Sequence, residues 1–318
     1  MSIFAVVFQS VLALICIGVL GFWILKRGII PENVISFISR LAIDIALPCV
    51  VFAGIVLNFD PKKASNWWQL PLWWAAFQAV ALTLVLGSRF LSQKSTRSEF
   101  ALSLFFQNGL FFPLIVISGL FGSDSSHGVL LFIFILFHPV LFFTTARFFF
   151  SAKQGKGRGT LNLARVLNPV LFATVIAVGL RLAGFEAYLP RFLITMLTMV
   201  GGMTLPLLMI ILGGSLYIDF QKKGRIYYLE ILKFVAIKNF LFPLVFVGLL
   251  LLVHPAYSTA LIIFLQSAVP PITGVSIHAE REGGNASIVN QFILASFAVS
   301  VVSIPLMFTL FSRFFPMA

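Results

Sequence analysis

Two apolar stretches of the chain each carry amide side chains a few residues before proline. In QNGLFFP, Asn108 lies five residues before Pro113, and in QSAVPP, Gln266 lies five residues before Pro271. Proline removes a backbone N–H and crowds the carbonyl four residues earlier, so each stretch should interrupt a helix. Within a bilayer, freed backbone groups are tolerated where they line a cavity. The predicted ligand-binding residues in these stretches are Gln107, Asn108, Gly109, Pro113, Gln266, Ser267, Pro270 and Pro271.

Two half-helix N-termini meeting in one cavity would favour a negatively charged ligand, because each carries a partial positive charge. We expect Pro270 and Pro271 at the first positions of such a half-helix, where N–H groups have no partner anyway. Lys238 lies well inside another apolar run. Its charge could bind a ligand carboxylate or, alternatively, pair with an acid of the protein. The chemistry favoured by these residues is the binding of a small organic anion.

Asp44 is an acid within an apolar run, four residues after Arg40. An ion pair along one helix face would neutralise both residues. Alternatively, an acid desolvated in the bilayer could bind and release an ion, because intramembrane ionisable groups are costly and mark ion pathways. Asp44 is therefore predicted either to pair with Arg40 or to couple the ligand's movement to H⁺ or Na⁺.

The elements that must position these residues are membrane helices. The 318 residues are 60% hydrophobic and 10% charged, with a mean hydropathy of +1.05, whereas soluble domains are about a quarter charged. Apolar runs of roughly 20 residues, enough to cross about 30 Å of hydrocarbon, recur along the chain. The sequence predicts an all-α integral membrane protein with ten spans, at residues 3–25, 35–57, 67–90, 99–121, 127–149, 166–184, 191–216, 228–252, 256–279 and 285–311.

Basic residues are divided unequally between alternate connections. With the N-terminus outside, fourteen would lie on the inner side (Lys26, Arg27, Arg89, Lys94, Arg97, Arg147, Lys153, Lys156, Arg158, Arg165, Lys222, Lys223, Arg225, Arg281) and five on the outer side (Lys62, Lys63, Arg181, Arg191, Arg313). The positive-inside rule then predicts that both termini lie outside, in an inner or plasma membrane. Because the charges form short clusters between apolar runs, the net charge of +12 does not predict a nucleic-acid partner.

The two halves of the chain match when one is shifted by 158 residues. Pro113 then meets Pro271, Asn108 meets Gln266, and the Leu47-Pro48 pair meets Leu205-Pro206. We therefore predict a five-helix repeat at 1–150, a basic cytoplasmic linker at 151–165 and a second five-helix repeat at 166–318. Because each repeat has an odd number of spans, the copies must insert in opposite orientations. An inverted repeat with interrupted helices at corresponding positions is typical of secondary transporters.

Four stretches carry a family resemblance: LAIDIALPCVVFAGI (Leu41–Ile55), QNGLFFPLIVISGLFG (Gln107–Gly122), GGMTLPLLMIILGGSL (Gly201–Leu216) and SAVPPITGVSIHAEREGGN (Ser267–Asn285). In order and spacing they resemble the auxin efflux carrier family, bacterial relatives of the plant PIN-formed carriers, within the bile/arsenite/riboflavin transporter superfamily. The resemblance implies a bile-acid-symporter-like fold. Helices 1, 2, 6 and 7 would form a scaffold. Helices 3–5 and 8–10 would form a transport domain in which broken helices 4 and 9 cross.

The resemblance also implies a substrate contact by an asparagine in the fourth span. The family places it seven residues before the proline, with a glycine two residues before the proline. Phe106 and Phe111 occupy those positions here. The role therefore falls either to Asn108 or to Gln107.

The predicted function is secondary transport of a small organic anion by alternating access, with the site at the crossing of helices 4 and 9. The resemblance implies a malonate- or malate-like dicarboxylate or an auxin-like monocarboxylate. No organic cofactor or bound metal is expected, and no enzyme activity, because the sequence has neither a GxxxxGK[ST] loop nor a GxSxG elbow. Alternatives are an intramembrane enzyme using Asp44 or His138, a channel or a sensor. Homodimerisation is left open.

Overall fold

The computed structural model describes residues 2–62, 66–122, 125–150, 169–221 and 226–317, with all side chains there except those of Phe143 and Asp219. The predicted linker at 151–165 lies outside these residues. Within the described ranges the regular secondary structure is helical, apart from one isolated β-bridge. The all-helical prediction is therefore confirmed for this part of the chain.

The first half forms eight α-helices with short π- and 3₁₀-helical segments. The α-helices are α1 (Ile3–Lys26), α2 (Glu32–Arg40), α3 (Leu47–Asn58), α4 (Leu70–Ser88), α5 (Arg97–Phe105), α6 (Phe111–Phe121), α7 (Ser126–Phe134) and α8 (His138–Thr145). A π-helical segment, Leu41–Ala46, joins α2 to α3. The 3₁₀ segments are Trp67–Gln69, Arg89–Leu91 and Ala146–Phe150.

The described part of the second half forms eight further α-helices. They are α9 (Pro169–Ala183), α10 (Arg191–Gly202), α11 (Thr204–Gln221), α12 (Tyr228–Val235), α13 (Phe242–Val253), α14 (Tyr257–Ala268), α15 (Gly274–Arg281) and α16 (Ala286–Phe314). A π-helical segment, Ala236–Leu241, joins α12 to α13, and a 3₁₀ segment covers Phe185–Tyr188.

Six helical stretches among the described residues are long and apolar enough to cross a membrane. They are Ile3–Lys26, Glu32–Asn58, Trp67–Leu91, Arg191–Ile218, Tyr228–Val253 and Ala286–Phe314, and they match predicted spans 1, 2, 3, 7, 8 and 10. Spans 4 and 9 are each broken in two, as predicted. Span 6 is represented by the 15 residues of α9. The ten-span inverted repeat as a whole stays a prediction.

The fifth predicted span is kinked at Pro139, where α-helical geometry is interrupted for three residues. Helix α7 ends at Phe134 and α8 begins at His138, with Pro139 at the start of α8. A proline inside a continuous helix removes one backbone hydrogen bond and crowds the carbonyl in the preceding turn. This interruption is in keeping with the proline kink that the sequence predicts at Pro139.

Both π-helical segments precede a proline. The Leu47 N–H donates to Ala42 O just before Pro48, and the Phe242 N–H donates to Ile237 O just before Pro243. These bonds span five residues rather than four, which widens the turn. A wider turn relieves the clash between a proline ring and the carbonyl four residues earlier, and π-bulges of this kind are frequent at functional sites.

Glycines allow α1 and α11 to pack backbone against backbone. A Cβ added at Gly21 would overlap the Ile210 carbonyl, and one at Gly213 would overlap the Gly18 carbonyl. Helices in membranes associate largely through such close van der Waals contact between small residues. In the same part of the molecule, α3 packs against α9 and α10. Helices of spans 1, 2, 6 and 7 are thus neighbours, and their role as a scaffold stays a prediction.

Candidate functional site

The interruptions of the fourth and ninth spans meet and hydrogen-bond to each other. Gln107 and Pro271 form an antiparallel β-bridge between the two extended segments. The Asn108 N–H donates to Pro270 O at 2.8 Å, and the Ile272 N–H donates to Phe106 O at 3.0 Å. Backbone groups freed by the two helix breaks therefore satisfy each other. We call the paired segments, residues 106–110 and 269–273, the crossover.

The prolines of the ninth span lie in the crossover itself and not at the start of a half-helix. Helix α15 begins at Gly274, so the expectation that Pro270 and Pro271 occupy its first positions is wrong. The bridge explains their place. Gln107 and Pro271 form a non-hydrogen-bonded pair, whose flanking bonds use the Pro270 carbonyl and the Ile272 N–H but no proline N–H. Proline ends α14 there without removing a bond from the bridge.

Two glutamine side chains hold the crossover together from inside the protein. The Gln266 amide donates to Gly109 O at 2.6 Å, and the Gln107 amide donates to Gln266 Oε1 at 3.2 Å. Both glutamines are buried, and a Cβ at position 109 would overlap Gln266 Oε1. Any side chain at position 109 would therefore force the Gln266 amide to shift from its present hydrogen bonds. These contacts give Gln107 and Gln266 a positioning role.

Asn108 is arranged differently from the two glutamines. Its Oδ1 accepts the Phe111 N–H at 3.3 Å, which caps the first turn of α6. Its amide nitrogen donates no hydrogen bond to any residue that the structure describes. The side chain is 3% exposed. Asn108 therefore presents a fixed donor at the N-terminal end of a half-helix, where the helix dipole also favours an anion.

Pro113 and Ser267 offer less to a ligand than the sequence suggested. Pro113 is the third residue of α6 and is buried there, where its missing N–H leaves no helical bond unmade. The Ser267 hydroxyl donates to Phe264 O at 2.6 Å, one turn back along α14. Both residues help to shape the ends of the half-helices.

A small cavity lies beside the first-half segment of the crossover. Its volume is about 90 Å³, and its lining is Leu47, Val50, Leu110, Phe111, Leu114, Gly201, Gly202, Thr204 and Leu205. The Thr204 hydroxyl is buried and has no hydrogen-bond partner among the described residues. Thr204 was not among the predicted site residues, although it lies in the Met203–Pro206 stretch that matches Ile45–Pro48 in the repeat. The cavity is thus apolar with one available hydroxyl.

Lys238 lies in the π-helical segment of the eighth span, Ala236–Leu241. It is 1% exposed, and its Nζ lies 5.0 Å from the centroid of the Phe242 ring. It forms no ion pair or hydrogen bond with the residues that the structure describes. It lies near the buried His138, whose imidazole lies beside the Gln107 main chain. Gln78, which the sequence did not single out, contacts His138 Nδ1 at 3.4 Å.

Asp44 is not brought to the crossover. It lies on the exposed face of the π-helical segment of the second span, which packs against α9, α10 and α11. Neither Asp44 nor Arg40 forms an ion pair within the described ranges, so the predicted Arg40–Asp44 pair is absent. The acid faces outward from this part of the protein.

Two comparisons with known proteins bear on this site. A sequence model of the family described as Membrane transport protein matches residues 6–308. An uncharacterized transporter of Saccharomyces cerevisiae is 28% identical over 88 residues, which are 28% of this chain and 19% of the yeast protein. The alignment thus spans about a fifth of that relative's length.

The family match covers both halves of the crossover and nearly the whole chain, far more than the short yeast alignment. It agrees with the long apolar helices. It also confirms the resemblance drawn from the Leu41–Ile55, Gln107–Gly122, Gly201–Leu216 and Ser267–Asn285 stretches. The chain belongs to the Membrane transport protein family, the auxin efflux carrier family.

Proposed function

We propose that this transporter is a secondary carrier of a small organic anion and that the anion binds at the crossover. The observation that carries the proposal is the pairing of two broken helices, joined by the Asn108 N–H···Pro270 O and Ile272 N–H···Phe106 O bonds. Half-helices α6 and α15 begin just beyond it. Their N-terminal ends supply partial positive charge inside an apolar environment, where electrostatic attraction is strong.

The residues take three separate roles in this proposal. Asn108 donates its free amide N–H to the substrate carboxylate. Gln107 and Gln266 hold the two segments in register through Gly109 O. Lys238 adds a buried positive charge that lacks an acidic partner in the described part of the chain, so an entering anion would compensate it. Of the two candidates for the family asparagine's role, this arrangement favours Asn108 over Gln107.

The cavity beside Leu110 suits the apolar part of a substrate. It lies between the crossover and the second and seventh spans, with the Thr204 hydroxyl as its one available polar group. In alternating access, helices 3–5 and 8–10 would move against helices 1, 2, 6 and 7, so this boundary would open and close. Substrate or ion can bias such a motion only by binding the inward and outward states differently.

An intramembrane enzyme is the weaker alternative. An enzyme would need a nucleophile and a base within hydrogen-bond distance of each other. The candidates for these groups were Asp44 and His138. Asp44 is exposed on another face, and His138 contacts Gln78 and the crossover main chain. The polar groups gathered at the crossover are amides and backbone dipoles, which are suited to binding.

Uptake into proteoliposomes tests the proposal. Radiolabelled malonate, malate and indole-acetate would be offered to wild type, to Asn108→Ala and to the matched control Asn33→Ala, an exposed amide in α2. We expect saturable uptake of at least one acid, trans-stimulation by the same acid inside, and loss of both in Asn108→Ala alone. Uptake without saturation or trans-stimulation would indicate a channel. Unchanged saturable uptake in Asn108→Ala would remove the crossover from the binding site.

A further inference from the structure

Two arginines lie around one exposed aromatic ring at the end of α4. The Arg89 guanidinium carbon is 4.9 Å and the Arg97 guanidinium carbon 5.1 Å from the centroid of the Phe90 ring. Phe90 is 61% exposed, and the neighbouring Leu91 is 58% exposed. Cationic groups and an apolar ring that project together are typical of the level where hydrocarbon meets lipid headgroups.

Neither guanidinium has an anionic partner in the described part of the chain. The Nε atoms of Arg89 and Arg97 are buried and lack a hydrogen-bond acceptor there. Because arginine stays charged and carries five N–H donors, each leaves donors unused. Two like charges held around one ring, with unused donors, form a site that an external anion would satisfy.

Glu230, an acid close to this turn, is held by other groups, and Glu99 of α5 accepts a hydrogen bond from the Asn285 N–H. Glu230 is buried and accepts hydrogen bonds from the Ser92 hydroxyl at 2.6 Å and from the Gln93 N–H at 3.2 Å. It also accepts one from the Lys233 ammonium at 3.0 Å. These contacts pin the turn between Arg89 and Arg97 against the start of α12. The two arginines are therefore held close together by a fixed turn, with the Glu230 charge compensated by Lys233.

Similar pairs occur at other helix ends that the charge distribution assigns to the same membrane face. Arg27 lies over the Trp23 ring at 5.8 Å, and Arg147 lies over Phe148 at 5.1 Å. Arg89 and Arg97 differ from these pairs because two guanidinium groups share one ring. Two positive charges therefore lie close together at Phe90, whereas each of the other rings has one.

We propose that Arg89 and Arg97 form a binding site for the phosphate of an anionic phospholipid, seated at the end of α4. The planar guanidinium fork matches phosphate oxygens in a bidentate geometry, which lysine cannot reproduce. Phe90 and Leu91 contact the upper acyl chain, and Lys94 adds an exposed charge at the rim. The site is separate from the crossover and does not depend on which substrate is carried.

Native mass spectrometry of the full chain in detergent tests the site. Phosphatidylglycerol and phosphatidylcholine with identical acyl chains would be titrated against wild type, Arg89→Gln/Arg97→Gln and the control Arg191→Gln, an exposed arginine at the start of α10. Because basic residues near an anionic headgroup each strengthen binding severalfold, we expect the double variant to bind phosphatidylglycerol about tenfold more weakly. Phosphatidylcholine binding and the Arg191→Gln control should not change.

Two additional measurements, on single-arginine variants and with inorganic phosphate as a competitor, complete the test. If the double variant does not fold, the single variants Arg89→Gln and Arg97→Gln should each lose about threefold in phosphatidylglycerol affinity. Equal phosphatidylglycerol binding by wild type and these variants would overturn the proposal. An excess of inorganic phosphate should not displace the lipid, since the acyl contact adds affinity. Displacement by phosphate would overturn the lipid assignment in favour of a soluble phosphate ligand.

Discussion

Individual side chains at the crossover divide the work of binding and positioning. Gln107 and Gln266 form a chain of hydrogen bonds that ends on Gly109 O, so their amides serve the protein. Asn108 uses its oxygen to cap α6 and keeps its N–H donors available. In the sequence the amides of Gln107, Asn108 and Gln266 cannot be told apart by role. Only the geometry separates two positioning residues from one candidate binding residue.

Replacing Gly109 with alanine should open the crossover. The new methyl group would overlap Gln266 Oε1, and the bond from the Gln266 amide to Gly109 O would lengthen. We expect the free energy of unfolding to fall by about 1–3 kcal/mol, as for other overpacked sites, and uptake to be lost. Thermal unfolding in detergent checks this, beside Gly248→Ala. That glycine has open space around it, so equal melting temperatures for the two variants would contradict the packing argument.

Replacing Lys238 with methionine should weaken anion binding and leave the helix intact. Methionine fills similar space beside Phe242 but removes the charge that lacks an acidic partner within the described ranges. Charge-assisted hydrogen bonds contribute about 1.5–3 kcal/mol, so the KM for uptake should rise about tenfold or more. Initial uptake rates over a range of acid concentrations measure it. An unchanged KM would assign Lys238 a structural role.

The helices show which features sequence patterns can and cannot predict. Pro113 and the Pro270-Pro271 pair predicted the broken spans, because proline's effect on a helix is local. They did not predict that Pro270 and Pro271 lie in an extended segment, because that follows from pairing with Gln107 more than 150 residues away. The π-helical turn around Asp44 was missed although Pro48 follows it closely, because a proline shows where a helix is disturbed but not which helical geometry results. Hydropathy predicts burial in the bilayer but not backbone register.

Close packing between α1 and α11 should tolerate no side chain at its centre. A Cβ at Gly213 would overlap the Gly18 carbonyl, and backbone cannot move aside as a flexible side chain can. We expect Gly213→Ala to lower the free energy of unfolding by about 1–3 kcal/mol or more. Gly87→Ala on α4, where nothing lies near the added Cβ, should not lower it. Unfolding curves of both variants in the same detergent decide between these expectations.

At the scale of the whole molecule, the chain combines a tightly packed group of helices with a pair of broken ones. Composition alone predicted a membrane protein, and the order of four stretches predicted its family. The family assignment is confirmed over residues 6–308. Gln78 could not have been found, because its contact with His138 arises only on folding. Thr204 lies in a stretch that the repeat singles out, but its place in the cavity also depends on folding. Asp44, in contrast, stood out in the sequence but lies away from the crossover.

If Asp44 couples transport to protons, the surroundings of its carboxyl group must differ between the inward-facing and outward-facing states of the protein. We expect an imposed inward proton gradient to accelerate uptake by wild type and by Glu32→Gln, an exposed acid in α2. Asp44→Asn should lose this acceleration, because an amide side chain cannot take up and release a proton as a carboxyl group can. Uptake rates with and without the gradient measure it. Acceleration retained in Asp44→Asn would assign coupling to another residue.

Protection of a single cysteine is the most direct test that the substrate binds at the crossover. Leu110→Cys would be made in a Cys16→Ser/Cys49→Ser background, because Cys16 and Cys49 are the two native cysteines. Leu110 lines the cavity beside Asn108, whereas Leu252→Cys, an exposed position in α13, serves as the control. We predict that the transported acid slows thiol modification at position 110 in a saturable manner and leaves position 252 unaffected. Equal modification rates at position 110 with and without saturating acid would contradict a binding site at the crossover.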